Sequence, residues 1–328
     1  MVLSLLIGLA LILVSAEVFT NGVEWLGHRL NLSQGAVGSI LAAVGTALPE
    51  TMIPVIAIIF GTGEAAKEIG IGAILGAPFM LATLAFAITG MAALAFKVNG
   101  RPRKTMLIES TVMRRDLKFF LTLYSIAILA AFLPSSHKHY IAALLILIYI
   151  VYVIITVRSG ESLSGEGLNP LYFARRKSSP GLSVILLQVI IALGGIVFGA
   201  NLFVQGIEMA AVLFNISPFV LAIFIAPIAT ELPEKFNSVI WVRQGKDTLA
   251  LGNITGAMVF QSSIIPALGI LLTPWELSNL AVISAVLAIV GSSFIYFTLK
   301  YKNAIRPTSL VLNGCLYIIF ILVVSAIN

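Results

Sequence analysis

Charged residues are scarce in this sequence. Asp, Glu, Lys and Arg make up 10% of its 328 residues, whereas a soluble protein of this length carries roughly 25%. Hydrophobic residues reach 59%, and the mean hydropathy is +1.06. This composition excludes a soluble globular protein and predicts an integral membrane protein that crosses the bilayer many times. The net charge of +6 does not indicate nucleic-acid binding, because the basic residues are distributed by membrane side.

Several chemical signatures are also missing. The single cysteine, Cys315, excludes a disulfide framework. The three histidines fall between the apolar stretches, which argues against a histidine-based metal site. There is no glycine-rich phosphate loop with a lysine, no arginine periodicity of a voltage sensor, and no nucleophile–base pair beside the intramembrane carboxylates. The sequence therefore predicts neither an ATP-driven pump nor an enzyme. It predicts no cofactor and gives no oligomerisation signal.

Ten stretches are long and apolar enough to cross a bilayer, which takes about 20 apolar residues. These predicted spans 1 to 10 cover approximately residues 2–20, 35–60, 69–96, 117–134, 140–157, 181–212, 217–242, 248–273, 278–299 and 307–327. Loops after odd-numbered spans hold 17 of the 20 Lys and Arg residues, whereas loops after even-numbered spans hold only Lys67 and Lys138. The positive-inside rule then places odd loops in the cytoplasm and both termini outside, in a multi-pass protein of the plasma (inner) membrane.

The chain contains an internal repeat. Residues 16–50 align with 200–234 without a gap, and eleven positions are identical. Because each copy has five spans, an odd number, the second copy is expected to lie upside down relative to the first. The predicted fold is an all-α integral membrane protein of ten transmembrane helices in two inverted-topology five-helix repeats, 1–157 and 181–328, joined by a cytoplasmic linker, 158–180.

One motif recurs in both repeats inside apolar sequence. Residues 45–50 read Gly-Thr-Ala-Leu-Pro-Glu, and residues 229–234 read Ala-Thr-Glu-Leu-Pro-Glu. A carboxylate within a membrane span is costly and marks a functional site by default. Such folds bind their substrates at the bilayer midplane, where the two repeats meet.

The motif supplies hard oxygen donors. Thr46 and Glu50 are four residues apart, on one helix face, and so are Thr230 and Glu234. Pro49 removes an amide donor, so a helix broken there is expected to free carbonyl oxygens. Hydroxyl, carboxylate and carbonyl oxygens suit Ca²⁺, Na⁺ or Mg²⁺ rather than soft metals. The carboxylates of Glu50 and Glu234 are the predicted metal ligands.

The two copies differ around this motif. Glu231 and Lys235 stand where the first copy has Ala47 and Thr51. Glu231 is interpreted either as a further ligand or proton carrier, or as the partner of Lys235 in an intrahelical ion pair. A second motif follows in the next span, where glycines four residues apart are expected to bring the two spans of a repeat together: Gly72 and Gly76, and Gly252 and Gly256.

Together these motifs resemble the membrane region of sodium/calcium exchangers, in the calcium:cation antiporter superfamily. That family has inverted repeats with a Gly-Thr-Ser-Leu-Pro-Glu-like first motif and a Gly-Asn-x-x-Gly-Ser-Asn-like second motif. The resemblance implies ten helices, alternating access and exchange driven by a Na⁺ or H⁺ gradient. It also implies that ion ligands are Thr46, Glu50, Thr230, Glu234 and Asn253.

The chain departs from the family pattern at several ligand positions. The motif Ser is Ala47 in one copy and Glu231 in the other, and the second motif of the first copy has lost its polar residues. Fewer neutral oxygens and one further carboxylate make H⁺ an alternative to Na⁺ as counter-ion, because a carboxylate can exchange its proton for a cation.

The sequence predicts a secondary active antiporter of Ca²⁺ or a related inorganic cation. Its partners are then inorganic cations and the lipid bilayer, and not nucleic acid. Two alternatives remain open: a channel-like or uniport cation pathway, and a membrane protein that binds or senses ions without transporting them.

Overall fold

Helices are the regular secondary structure of the described chain. The computed structural model describes residues 1–29, 42–61, 63–96, 103–158, 169–177 and 179–327, with side chains at all of these except 42–49, 157 and 232–237. The regular structure in these ranges is helix, with no strand, so the all-α prediction is confirmed. The helices are α1 (Val2–Arg29), α2 (Ala42–Phe60), α3 (Gly63–Met80), α4 (Phe86–Ala95), α5 (Ser110–Leu129), α6 (Ser135–Arg158), α7 (Leu182–Phe214), α8 (Pro218–Arg243), α9 (Asp247–Gln261), α10 (Ile264–Leu272), α11 (Asn279–Lys302) and α12 (Pro307–Ile327).

Seven helices of the described chain are long and apolar enough to cross a membrane. Two of them are composite, because α3 and α4 continue through a π turn, and α9 and α10 are joined at a short break. In α2 and α8, the side chains of residues 42–49 and 232–237 lie outside the described part, and the remaining pieces, Glu50–Phe60 and Pro218–Glu231, are apolar. The first half of α5 carries four charged residues. The count of ten spans therefore stays a prediction. The histidines lie in the end turns of α1 and α6 and not in loops.

The first helix of each predicted repeat packs against the other. A Cβ built on Gly8 would lie 2.8 Å from the carbonyl oxygen of Gly199, and one built on Gly22 would lie 3.3 Å from Nε2 of Gln188. Residue numbers thus rise along α1 as they fall along α7, which makes the two helices antiparallel. An antiparallel pair of equivalent helices is the arrangement that inverted repeats require.

Gly72 and Gly76 bring α3 close to α8. A Cβ on Gly72 would lie 2.8 Å from the carbonyl oxygen of Phe219, and one on Gly76 would lie 2.6 Å from that of Ile223. The helix backbones approach closely because neither glycine carries a side chain. The expectation that this pair joins two spans of one repeat was wrong, because both glycines contact α8, which belongs to the other predicted repeat. For Gly252, the equivalent of Gly72, no described atom of another helix lies within 4 Å of a built Cβ.

Helix irregularities occur at matching points of the two repeats. The helices α2 and α8 run on through Pro49 and Pro233, so the expected break at the first motif is not found. Instead, a π turn at Leu81–Ala85 interrupts the next span of the first repeat, and a turn at residues 262–263 separates α9 from α10. With the second motifs aligned, residue 81 corresponds to residue 261. Both repeats therefore depart from regular helix just beyond the second motif.

The π turn is held by a residue from α12. The side-chain amide of Asn313, 2% exposed, donates to the carbonyl oxygens of Ala82, at 3.0 Å, and Gly291, at 3.1 Å. A π turn disturbs the regular i→i−4 bonding of a helix, so a buried donor from a neighbouring helix stabilises it.

The contacts between connecting segments agree with the predicted membrane sides. Segments that follow odd-numbered spans contact each other, and so do segments that follow even-numbered spans. The odd-side contacts are Arg103–Asp247, Ser110–Asn303 and Trp25–Asn169, and the even-side contacts are Lys138–Pro274 and Glu68–Ser217. The contact at Asn169 lies within the predicted linker, of which residues 159–168 and 178 are outside the described part.

Candidate functional site

A buried carboxylate lies where the first motif of the second repeat meets the break after α9. Glu231 is 0% exposed, and its Oε1 accepts a hydrogen bond from Nε2 of Gln261. Gln261 is the last residue of α9, directly before the turn that leads into α10. The contact therefore joins α8 to the interrupted span, and it places an acid in the interior of the helix bundle.

Neutral oxygens lie at the same junction. Oε1 of Gln261 is buried and has no hydrogen-bond partner among the described residues. Thr230, 4% exposed, donates its hydroxyl to the carbonyl oxygen of Ala226 at 3.1 Å. Because that bond uses only the hydroxyl hydrogen, the oxygen keeps lone pairs for another donor or a cation. A carboxylate, an amide oxygen and a hydroxyl form a set of hard donors.

The break itself adds two hydroxyl groups. Ser262 and Ser263 are both 0% exposed, and each donates to the carbonyl oxygen of Val259, at 3.0 and 2.7 Å. Their oxygens, like that of Thr230, retain acceptor capacity. The equivalent residues in the first repeat include Thr83, which donates to the carbonyl oxygen of Phe79 at 2.6 Å.

The other predicted ligands are described unevenly. Glu50 is half-buried on α2. Asn253 is half-buried in α9, about two turns before Gln261 at the end of that helix. The side chains of Thr46, Glu234 and Lys235 lie outside the described part. The Glu50–Glu234 pair and the choice between Lys235 and a cation as partner of Glu231 thus remain predictions.

No cluster of three or more His, Cys, Asp or Glu residues occurs in the part of the chain that was described. The side chain of Glu234 lies outside that part, so the predicted set of three carboxylates, Glu50, Glu231 and Glu234, stays a prediction.

A second buried acid was missed by the sequence analysis. Asp116, 2% exposed, accepts hydrogen bonds from Thr255, at 2.9 Å, and Tyr152, at 3.1 Å. Arg115 lies 3.2 Å from the same carboxylate. Since Thr255 belongs to the second motif, Asp116 fixes α9 to α5. The available signal was a lone acid inside the basic run before predicted span 4.

Comparison with known proteins adds the family. The family described as "Sodium/calcium exchanger protein" matches residues 1–158 and 184–326. The chain belongs to this family. This confirms the membership that the two sequence motifs predicted.

Individual proteins are similar to this chain over most of its length. The inner membrane protein YrbG of Escherichia coli (strain K12) is 26% identical over 305 residues, which is 92% of this chain and 89% of that protein. A crystal structure of the H⁺/Ca²⁺ exchanger CAX superposes with a TM-score of 0.74 at 17% identity, covering 99% of this chain and 85% of that one. A structure of the sodium–calcium exchanger NCX_Mj gives a TM-score of 0.58 at 24% identity, covering 98% and 97%.

Membership in the exchanger family establishes the general class. The chain is a membrane transport protein of the cation antiporter type, and its relatives are transporters and not enzymes. The structural likenesses, each below 25% identity, establish the fold alone. The unmatched residues 159–183 overlap the predicted linker at 158–180, whose boundaries stay a prediction.

Proposed function

We propose that this exchanger is a secondary active antiporter that moves Ca²⁺ or a related hard cation against Na⁺ or H⁺ by alternating access. The observation that carries the proposal is the buried Glu231 carboxylate at the junction of α8 with the break after α9. Leaving an ionised carboxylate in a membrane interior is costly unless a cation, a proton or strong donors neutralise it. Exchange of one neutralising cation for another is the chemistry of an antiporter.

The proposed ligand set draws on both repeats. Glu50 and Glu234 supply the carboxylates that hold the divalent cation, and Thr46 and Thr230 supply hydroxyl oxygens. Glu231 and Asn253 complete the set from α8 and α9. Support comes from the buried Thr230 and Glu231 in the first motif and from the buried amide oxygen of Gln261 beside them.

The proposed movement is that of two inverted five-helix repeats within ten spans. The antiparallel pairing of α1 with α7 supports this arrangement, as does the contact of α3 with α8 at Gly72 and Gly76. Loop contacts within each predicted side support the division into odd and even loops. The proposed orientation, with odd loops in the cytoplasm and both termini outside the inner membrane, rests on the Lys and Arg residues of the odd loops.

The counter-ion depends on the neutral oxygens. A Na⁺ site needs several, and the second motif of the first repeat offers Ala73 and Leu75 at the positions of Asn253 and Thr255. A proton needs only a carboxylate. The smaller number of neutral oxygens in the first repeat supports H⁺ as an alternative counter-ion to Na⁺. Measuring whether a pH gradient or a Na⁺ gradient drives uptake distinguishes the two ions.

Transport by purified protein in proteoliposomes tests the proposal. Ca²⁺ uptake is measured under an imposed Na⁺ gradient and, separately, under a pH gradient. Each of Glu50→Gln, Glu231→Gln and Glu234→Gln is expected to abolish driven uptake. The matched control is Glu64→Gln, which makes the same chemical change on an exposed side chain and should leave uptake intact.

Folding of each variant is checked by its melting temperature and its elution from a sizing column. Full driven uptake in Glu231→Gln would overturn the proposal, and full uptake in Glu50→Gln or Glu234→Gln would remove that residue from the site. Uptake that needs neither gradient nor any ion on the opposite side would instead identify a channel-like pathway.

A further inference from the structure

Four basic side chains line one cavity between α5 and α11. The cavity has a volume of about 420 Å³ and is bordered by Thr111, Arg114, Arg115, Lys118, Phe119, Tyr296 and Lys300. Four of these seven residues are cationic and none is acidic. Such a concentration of positive charge attracts an anion into the space between the side chains.

Helical spacing builds this cavity from two facing stripes. On α5, Thr111, Arg114 and Lys118 follow one another at intervals of three and four residues, so they share one face. On α11, Tyr296 and Lys300 are four residues apart and share another. Because α5 packs against α11, the two stripes face each other where α5 begins and α11 ends.

The charges are only partly neutralised within the protein. Arg115 pairs with Asp116 at 3.2 Å. Nε of Arg114 donates to the carbonyl oxygen of Ser110 at 3.2 Å, a bond that leaves its charge uncompensated. Lys118 and Lys300 are exposed and form no ion pair among the described residues. The cavity therefore retains a positive charge that a phosphate group would match.

The surroundings favour a phosphate that belongs to a lipid. The exposed face of α11 continues from Lys300 along a row of large apolar side chains, Phe297, Phe294 and Val290, each 42–48% exposed. A phosphate held at Lys300 thus lies at the head of an apolar path along the helix. Basic pockets between transmembrane helices on the cytoplasmic side are suited to anionic headgroups.

We propose that this cavity binds the phosphate headgroup of an anionic phospholipid in the cytoplasmic leaflet, with the acyl chains along α11. The leaflet rests on the orientation proposed above, in which the segments beside α5 and α11 face the cytoplasm. Lipid binding can be measured without any transport, so failure of this proposal is distinguishable from failure of the proposed antiport.

The test is native mass spectrometry of the purified protein titrated with phosphatidylglycerol, and in parallel with phosphatidylcholine. The variant Lys118→Gln/Lys300→Gln removes two cavity charges. The matched control, Arg176→Gln/Lys177→Gln, removes two exposed charges from the predicted cytoplasmic linker, outside the cavity. Each basic residue near the membrane surface contributes about 1 kcal/mol to the binding of anionic lipid, so removing two should lower the affinity for phosphatidylglycerol about 30-fold.

The control variant should bind phosphatidylglycerol as the unchanged protein does, and phosphatidylcholine should bind all three proteins equally. Equal losses in the cavity and control variants would overturn the proposal, since that result describes a general surface charge effect. Displacement of phosphatidylglycerol by inorganic phosphate at comparable concentration would also overturn it, in favour of a free phosphate anion.

Discussion

Replacing Gly76 with alanine should force α3 away from α8. The added Cβ would lie 2.6 Å from the carbonyl oxygen of Ile223 and 2.7 Å from Cγ of Pro227, whereas ordinary contacts begin at 3.4 Å. Both obstructing atoms belong to backbone or a proline ring and cannot rotate away. The helices must therefore separate locally by the difference between 2.6 and 3.4 Å, about 0.8 Å.

This separation has an energetic cost that can be estimated. Overpacking of a close interface typically costs about 1–3 kcal/mol. At about 2–4 °C per kcal/mol, the scale for large domains, the melting temperature in detergent should fall by roughly 2–12 °C. Because the contact joins the two predicted repeats, we also expect slower transport of Ca²⁺.

The assay is thermal unfolding of the purified Gly76→Ala variant, followed by uptake in proteoliposomes. Gly194→Ala is the matched control: Gly194 is also a helical glycine, on α7, but beyond the adjacent backbone of its own helix no described atom lies within 4 Å of its built Cβ. The control should melt no lower than the unchanged protein. Equal melting temperatures for the two variants would refute the inference that Gly76 sets the spacing between the repeats.

Three further substitutions test contacts elsewhere in the fold. Arg103→Met should destabilise the protein by about 3–5 kcal/mol, because it leaves the buried carboxylate of Asp247 without its cation. The double variant Arg103→Met/Asp247→Asn should recover part of the lost melting temperature, and no recovery would contradict the pairing. Asn313→Ala should lower the free energy of unfolding by about 1–3 kcal/mol, because it removes the donor to the π turn. An unchanged melting temperature would contradict the role of Asn313 in stabilising that turn. Tyr152→Phe should cost about 1.5–3 kcal/mol, the range for a hydrogen bond to a charged group, since it removes a donor to Asp116; an unchanged melting temperature would argue against that bond.

The sequence was most informative where chemistry and membrane solvation restrict the choice of residue. An acid in an apolar span has few acceptable explanations, which is why the first motif could be recognised. The same reasoning singled out Glu231, and the structure adds Gln261 as its hydrogen-bond partner. The partner could not be predicted, because it comes from another helix and no spacing rule connects the two.

The helix interruptions show a limit of local reasoning. Proline signals a break, yet α2 and α8 continue through Pro49 and Pro233. The actual irregularities involve residues with no strong local signal, such as the π turn at Leu81–Ala85. That turn is held by Asn313, more than 200 positions away in sequence, so only the tertiary structure reveals it.

The glycine motif was recognised but assigned to the wrong contact. Spacing of four residues shows that Gly72 and Gly76 lie on one helix face, and it does not show which helix faces them. The nearest span in sequence was the simplest choice, whereas the structure places α8 of the other repeat there. Asp116 was missed for a related reason, because it lies at the start of α5 among basic residues that dominate the local pattern.

The dependence of Ca²⁺ uptake on an opposing ion tests the central claim most directly. Proteoliposomes that contain the protein are given external Ca²⁺ with Na⁺ or H⁺ at high concentration inside, or with neither. We expect uptake only when one of the two counter-ions is present inside, and we expect Glu231→Gln to lose that uptake. Equal uptake with and without an internal counter-ion, or full activity of Glu231→Gln, would contradict it.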